Sequence, residues 1–406
     1  MQVLHQTGSS GAARVLLYSH DTYGLGHLRR SRTIAMALAG ADAGRSALIV
    51  TGSPVAGRFD FAERVDHLRL PGVVKRTDGG YQASNLRLDL EDMVDLRGAI
   101  IAAAEATFAP DLMIVDKEPW GWHGELEPAL AAAAARGCRI VLGVRDVLDE
   151  EDALAREWER KNAVEAIERF YDEIWVYGVP EICRPLSGLG LSPRTEGRIV
   201  YTGYLQRGES AQAETAQDAP DGPYILVTTG GGGDGADLID WVLRAYESDP
   251  ALGPPAFIVY GPFLDHALRM AFDARVAALG GRVSAVGFHP RVERLLAGAA
   301  GVVAMGGYNT FCEILSMDRP AVIVPRTRPR REQIIRASAA ERLGLARMLT
   351  PERDGAGPGV MAAAIRALAD QPPPSARAPA DLLAGLPRIV HRTGALLDTL
   401  AAAVGE

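Results

Sequence analysis

His27 stands in Ser19-His20-Asp21-Thr22-Tyr23-Gly24-Leu25-Gly26-His27-Leu28-Arg29-Arg30, a glycine-bearing turn between an apolar run, Arg14 to His20, and a helical pattern, Leu28 to Ala39. Such a turn leaves free backbone N–H groups at a helix N-terminus, which favours an anion or a polar acceptor group beside it. A neutral imidazole in that step could take a proton from an acceptor hydroxyl, since histidine titrates near working pH. The other reading is a histidine that only caps or orders the turn. Asp116 closes a second apolar run, Leu112 to Asp116, on the same edge of the sheet. It could hold the His27 tautomer as an orienting carboxylate does in hydrolase triads, or it could cap the next turn. The glycines Gly24 and Gly26 have the outline of GxGxxG, but Arg29 fills the third glycine position. A small residue there lets the helix pack on the strand in dinucleotide folds, so Arg29 speaks against NAD or FAD.

Three segments of the second half carry a different chemistry. In Tyr224 to Gly235 the glycines Gly230, Gly231 and Gly232 follow a strand pattern, where backbone can approach a ligand closely and phosphate is the usual reason. Walker A is excluded because no Gly-Lys-Ser/Thr follows. In Gly306-Gly307-Tyr308-Asn309-Thr310-Phe311-Cys312-Glu313 the backbone N–H groups of Tyr308, Asn309 and Thr310 would point at a diphosphate. Glu313 could accept both hydroxyls of a ribose, although Thr310 with Glu313 three residues on also fits a capping box, which the spacing favours. Arg326, Arg328, Arg330 and Arg331 precede Glu332 and Gln333. That loop suits an anionic or hydroxyl-rich ligand, or is a solvated charged loop. Trp120 and Trp122 form either a carbohydrate or lipid platform or the core of a folded-over loop.

The elements that must position these residues alternate along the chain. Continuous apolar strands are predicted at Arg14 to His20, Ala47 to Thr51, Leu112 to Asp116, Arg139 to Val144, Glu173 to Tyr177 and Ile199 to Thr202, with helices around Leu90 to Phe108, Glu125 to Arg136 and Glu150 to Tyr171. Apolar strands alternating with helices make a parallel sheet covered on both faces. The pattern stops in the polar, small-residue stretch from Arg207 to Gly222 and resumes with strands at Tyr224 to Thr228, Ala256 to Val259, Val283 to Val286, Gly301 to Ala304 and Ala321 to Val324. The fold class is therefore α/β, two tandem doubly wound, Rossmann-like domains facing a cleft. The divisions are a first domain over 1–207, a linker over 208–222, a second domain over 223–387, and a terminal helix over 388–406 that could pack back on the first domain.

Composition agrees with two globular domains and excludes other classes. The 406 residues are 48% hydrophobic and 23% charged, with a net charge of −8, which disfavours broad nucleic-acid binding. Cys138, Cys183 and Cys312 are too scattered for a disulfide framework or a zinc knuckle, which fits a reducing cytoplasm. The first residues lack the pattern of a signal peptide, and no uncharged apolar run reaches the roughly 18 residues of a membrane span. The expected protein is cytoplasmic, at most peripheral at the inner face of a membrane.

Taken together, the Gly230–Gly235 loop, Gly287-Phe288-His289-Pro290, Gly306-Gly307-Tyr308-Asn309-Thr310-Phe311-Cys312-Glu313 and Glu332-Gln333 occur in an order that resembles the family 28, MurG-like glycosyltransferases of the two-domain B-type fold. The first half is similar more loosely, through Gly24-Leu25-Gly26-His27, and Ser19 to Arg30 with Asp116-Lys117-Glu118-Pro119 looks like a subgroup of predicted glycosyltransferases. The resemblance implies an inverting, metal-independent transfer of a hexose-type sugar from a nucleotide donor, typically UDP-linked, to the hydroxyl of a small molecule or lipid-linked glycan. No cofactor is implied. His27 would be the base, oriented by Asp116, with Gly24, Gly26 and Arg29 in an acceptor or phosphate loop. Glu313 would hold the ribose, Phe288 would abut the base, and Gly306, Gly307, Tyr308, Asn309 and Thr310 would meet the diphosphate, alongside Gly230, Gly231, Gly232 and Arg331. Gln333 would contact the sugar. Glu332 stands where a glutamine is common and Arg336 where an asparagine is common, which speaks against N-acetylglucosamine itself. The same fold also accommodates a UDP-sugar 2-epimerase or hydrolase, or a nucleotide-sugar-binding protein without chemistry.

Overall fold

Val15, Leu16, Leu17 and Tyr18 are all buried, so the first strand is apolar on both faces and must be covered on both sides. The computed structural model describes residues 13–20, 26–75, 80–207, 220–231, 233–289 and 291–404. In its first half lie β1 (Arg14–Ser19), α1 (Gly26–Ala41), β2 (Ser46–Thr51), β3 (Val65–Arg69), β4 (Val73–Lys75), β5 (Tyr81–Ala83), α2 (Leu90–Phe108), β6 (Leu112–Asp116), α3 (Glu127–Ala135), β7 (Arg139–Arg145), α4 (Glu151–Arg160), α5 (Ala163–Phe170), β8 (Glu173–Tyr177), α6 (Pro193–Glu196) and β9 (Ile199–Tyr201). Seven of these strands form one parallel sheet in the order β3-β2-β1-β6-β7-β8-β9, and β4 and β5 pair as a separate antiparallel hairpin.

The second half repeats the plan. It contains β10 (Ile225–Thr228), α7 (Ala236–Ser248), β11 (Ala256–Val259), α8 (His266–Ala278), β12 (Val283–Val286), α9 (Val292–Gly298), β13 (Gly301–Ala304), α10 (Tyr308–Ser316), β14 (Ala321–Ile323), α11 (Glu332–Arg342), β15 (Arg347–Met348), α12 (Pro351–Asp354), α13 (Pro358–Ala367) and α14 (Gly385–Val404). Its sheet is parallel in the order β12-β11-β10-β13-β14-β15. The α/β class and the two doubly wound sheets are those that the strand-helix alternation predicts.

Both sheets reverse their strand order at one place. In the first sheet it falls between β1 and β6, in the second between β10 and β13. Chains leave neighbouring strands there in opposite directions, which opens a crevice at the carboxyl ends. His27 follows β1 and Asp116 ends β6, while Gly230 follows β10 and Gly306 follows β13. The fold thus puts four of the five chemistry-bearing segments at two switch points, and the fifth, Arg326 to Gln333, after the neighbouring strand β14.

One apolar cluster runs through both halves. It joins Trp175, Tyr177 and Tyr204 of the first to Tyr308, Phe311 and Ala340 of the second, with Tyr204 and Phe311 edge to face at 5.3 Å. Helix α14 lies against α1, with Ile389 fully buried, Arg388 donating to the Tyr201 carbonyl and Arg392 paired with Glu173. Of the stretch read as a linker, 208–219 lies outside the described residues. Among the described residues no helix is long and apolar enough to cross a membrane.

The helix predicted over Glu150 to Tyr171 is two helices. Asn162 adopts left-handed backbone (φ 47°) between α4 and α5, a conformation asparagine tolerates better than most residues.

Candidate active site

At the first switch point His27 Nδ1 lies 2.5 Å from Asp116 Oδ2. Asp116 is also held by Arg30, whose Nε and Nη2 donate to Oδ1 at 2.9 and 2.7 Å and whose Nη2 also reaches Oδ2 at 2.7 Å. Burial opposes the charge of Asp116, but Arg30 and then His27 outweigh it and keep the carboxyl well below the usual carboxylate range. An ionised carboxylate only accepts, so His27 Nδ1 carries its proton toward Asp116 and Nε2 is the basic nitrogen. Arg30 Nη2, 3.0 Å from Nδ1, therefore makes a close approach to that nitrogen without sharing its lone pair. Arg30 and Asp116 cancel in charge, so the imidazole faces a fixed dipole and not a bare anion. His20 stands edge to face with His27 at 5.6 Å, and burial followed by the charge of Lys117 drives its own titration well below the ordinary histidine range. It stays neutral beside the working ring.

Opposite this dyad is the first turn of α10. Gly307 is its cap, so Tyr308, Asn309 and Thr310 are its first three residues with their N–H groups at the helix mouth. The Asn309 side chain donates to the Gly26 carbonyl at 3.4 Å and accepts from Arg207 Nη2 at 2.7 Å, which draws the starts of α1 and α10 together. Gly306 precedes the cap at φ 77°, and a Cβ there would lie 2.6 Å from Ile323 Cγ2. Gly306→Ala should cost about 1–3 kcal/mol through left-handed strain and that clash. The measurement is the melting temperature, and an unchanged value would show that the turn needs no glycine.

The remaining predicted residues fall into distinct groups. Gly24 and Gly232 lie outside the described residues. Gly230 (φ 69°) faces Thr310, since a Cβ on it would come within 3.9 Å of Thr310 Oγ1, so the glycine loop and the α10 mouth adjoin. Gly231 accepts from the Phe263 backbone N–H at 3.0 Å. Phe288 is exposed, at 56%. Glu313 is buried and its Oε1 accepts from Arg29 Nη2 at 2.5 Å, an ion pair between α10 and α1. The capping-box reading of Thr310 and Glu313 fails, because Thr310 is the third residue of the helix and Gly307 the cap. Arg326 pairs with Asp234 and Glu332, Gln333 accepts from the Arg326 backbone N–H at 3.0 Å, Arg330 pairs with Asp149 and Glu157, and Arg331 pairs with Glu150. Three of the four loop arginines are thus neutralised by acidic groups, two of them by the first domain.

Trp120 and Trp122 form no platform. Trp120 donates to the Asn162 carbonyl at 2.8 Å and packs on Phe170, and Trp122 is buried under Arg97.

Sequence reasoning missed Arg30, Arg207 and the pair Arg336–Asp146. Arg336 donates through Nε and Nη2 to Asp146 at 2.6 Å each and through Nη1 to the Gly306 carbonyl at 3.1 Å. Its position, where an asparagine is common in MurG-like enzymes, is spent on joining the domains. Arg30 left a trace, since it lies three residues after His27 and shares its helix face.

The comparisons with known proteins bear on the fold. No family model matches the sequence. Over 169 residues the chain is 31% identical to a UDP-N-acetylglucosamine–N-acetylmuramyl-(pentapeptide) pyrophosphoryl-undecaprenol N-acetylglucosamine transferase of Sorangium cellulosum, a match that spans 36% of this chain and 41% of that one. The solved structure of MurG from Acinetobacter baumannii superposes with a TM-score of 0.58 at 14% identity, covering 95% of this chain and 99% of the other. A UDP-glucosyltransferase from Polygonum tinctorium capable of glucosylating indoxyl superposes at 0.64 and 14% identity, covering 96% and 100%. The chain has the glycosyltransferase B-type fold. It resembles the MurG-like glycosyltransferases in sequence over about two fifths of the relative's length, and in fold over nearly all of its own.

Proposed function

We propose that the protein is a glycosyltransferase that moves a hexose-type sugar from a UDP-linked donor to an acceptor hydroxyl, with inversion and without a catalytic metal. The observation that carries this reading is the His27–Asp116 dyad, held at the carboxyl edge of the first sheet directly across from the helix mouth of α10. The acceptor hydroxyl gives its proton to His27 Nε2 as its oxygen attacks the anomeric carbon. The bond from that carbon to the diphosphate breaks, and the departing charge meets the N–H groups of Tyr308 to Thr310. Asp116 steadies the imidazolium that forms. Arg30 keeps Asp116 ionised and fixes its direction.

The donor half of the reading is supported by the neighbouring glycine loop and by the names of the similar proteins, two of which specify UDP-sugars. Glu313 is the ribose acceptor in this scheme, and Arg29 is the charge it releases when a nucleoside enters. The acceptor is a small molecule or a lipid-linked glycan, and the protein works in the cytoplasm, at most peripheral to a membrane. The test is a panel of nucleotide sugars screened by thermal shift and then by product analysis. A ligand at about a hundred times its Kd should add roughly 2.7 kcal/mol of stability. Transfer yields UDP with a glycoside of inverted anomeric configuration. Release of an epimer or of free sugar from the donor alone would replace the transferase reading, and a panel without binding or turnover would remove it.

A further inference from the structure

Two arginines around the dyad, Arg207 and Arg145, have no carboxylate partner, and only Arg207 has its guanidinium taken up by neutral acceptors. Arg30 is matched by Asp116, Arg336 by Asp146, Arg29 by Glu313, and Arg326 by Asp234 and Glu332. Arg207 has no carboxylate, but its guanidinium is spent on Thr33, Asn309 and the Arg29 carbonyl. Arg145 ends β7, the strand beside the one that carries Asp116, and feels the charges of Arg30, Arg336, Glu332 and Asp146. Among the described residues its guanidinium makes no hydrogen bond or ion pair, and its Nε is enclosed without a partner. Burial, then Arg30 and Arg336, pull its titration down to about 10, and the nearby charges of Glu332 and Asp146 only partly offset them.

A second observation points the same way. The starts of α1 and α10 meet through Asn309 and Gly26, which brings the partial positive charges of two helix N-termini close together. Two such ends and an unmatched guanidinium form an arrangement that a multivalent anion would relieve.

We propose that Arg145 binds a phosphate that a substrate brings into the cleft, either the diphosphate leaving the donor or a phosphate borne by the acceptor. Its planar fork suits two phosphate oxygens, and neighbouring strand ends place it on the dyad's edge of the sheet. The inference rests on the transferase reading for the identity of the substrate, but its test does not.

Uridine, UDP and inorganic pyrophosphate are titrated calorimetrically into the full chain, Arg145→Gln and Arg145→Lys. Pyrophosphate should weaken by roughly 10–100-fold in Arg145→Gln, with Arg145→Lys between and UDP weakening alongside it where the phosphate is the donor's, while uridine is unaffected. Melting of Arg145→Gln should stay level or rise, because no intramolecular partner is lost. Pyrophosphate is also titrated into protein saturated with UDP. A second anion that binds the wild type and is lost in Arg145→Gln, with UDP affinity kept, assigns the phosphate to the acceptor. Weakened UDP with no second anion assigns it to the leaving group. Equal binding of both anions to wild type and Arg145→Gln, or no binding of either by the wild type, overturns the proposal. Arg145-dependent pyrophosphate binding without turnover of any nucleotide sugar would leave this site standing and remove the transferase reading.

Discussion

His27→Ala should lower turnover by about 10²–10⁴ while the affinity for UDP stays within about twofold, because in the proposed transfer the imidazole acts on the acceptor's proton and the donor is held by the other domain. Asp116→Asn gives a loss of the same order by a different route. The amide offers Nδ1 of His27 an N–H or a weaker acceptor, so the tautomer with its lone pair at Nε2 is no longer enforced. It also leaves the Arg30 guanidinium, buried at 2% exposure, without its anion. Steady-state kinetics on the identified donor and acceptor, with UDP binding measured in parallel, separate the two effects. Turnover by His27→Ala at the wild-type rate would remove the histidine from the chemistry. The same substitution has a signature in stability. Asp116 titrates lower folded than the 3.8 of the free side chain, despite burial, because of Arg30 and His27. Its stabilisation is therefore complete above about pH 5 and is lost as the pH falls below 4, where the unfolded chain takes up the proton and the folded one does not. Asp116→Asn should flatten that part of the acid limb, read from urea midpoints between pH 3 and 6.

The sequence revealed this site to the extent that its parts sit at strand ends. β6, β8, β11, β12 and β13 have the residue bounds that their apolar runs predict, because buried parallel strands are apolar on both faces and turns cut them sharply. β3 escaped because Asp66 and His67 interrupt its apolar pattern at the sheet edge, and β15 is two residues long. The glycine turns after β10 and β13 were visible for a related reason, since left-handed backbone at Gly230 and Gly306 is what their clustering encodes. What the sequence does not carry is which charge meets which. Arg330 and Arg331 look like a phosphate loop in one dimension, and the fold lays them against Asp149, Glu150 and Glu157. The acidic start of α4 was the available signal for that pairing. Arg145 and Asp146 are adjacent in the chain, yet Asp146 is matched by Arg336 while Arg145 has no ion-pair partner among the described residues, a distinction set by tertiary geometry only.

Asp146→Ala should be the most destabilising of the cleft substitutions. The side chains of Asp146 and Arg336 are 0% and 1% exposed, and Tyr204 Oη donates to Asp146 Oδ2 at 2.5 Å. Removing the carboxylate strands a buried guanidinium and a buried hydroxyl together, which costs about 3–5 kcal/mol. Arg336→Met strands the aspartate in turn and loses the bond to the Gly306 carbonyl, so the turn before α10 loosens as well. Paired burial of charge stabilises little in itself, because desolvation offsets most of the attraction. The double variant Asp146→Leu with Arg336→Met should consequently recover most of what either single change loses, with a coupling of at least about 2 kcal/mol in the thermodynamic cycle. Chemical unfolding of the four proteins supplies the cycle. Simple additivity would mean that Asp146 and Arg336 contribute independently and that the two halves are held by their other contacts, among them Tyr204 on Phe311 and Arg29 with Glu313. If the double variant is stable but turns over poorly, then the pair serves to fix the angle at which the dyad addresses the α10 mouth, a geometric task that apolar packing between two rounded domains does not perform.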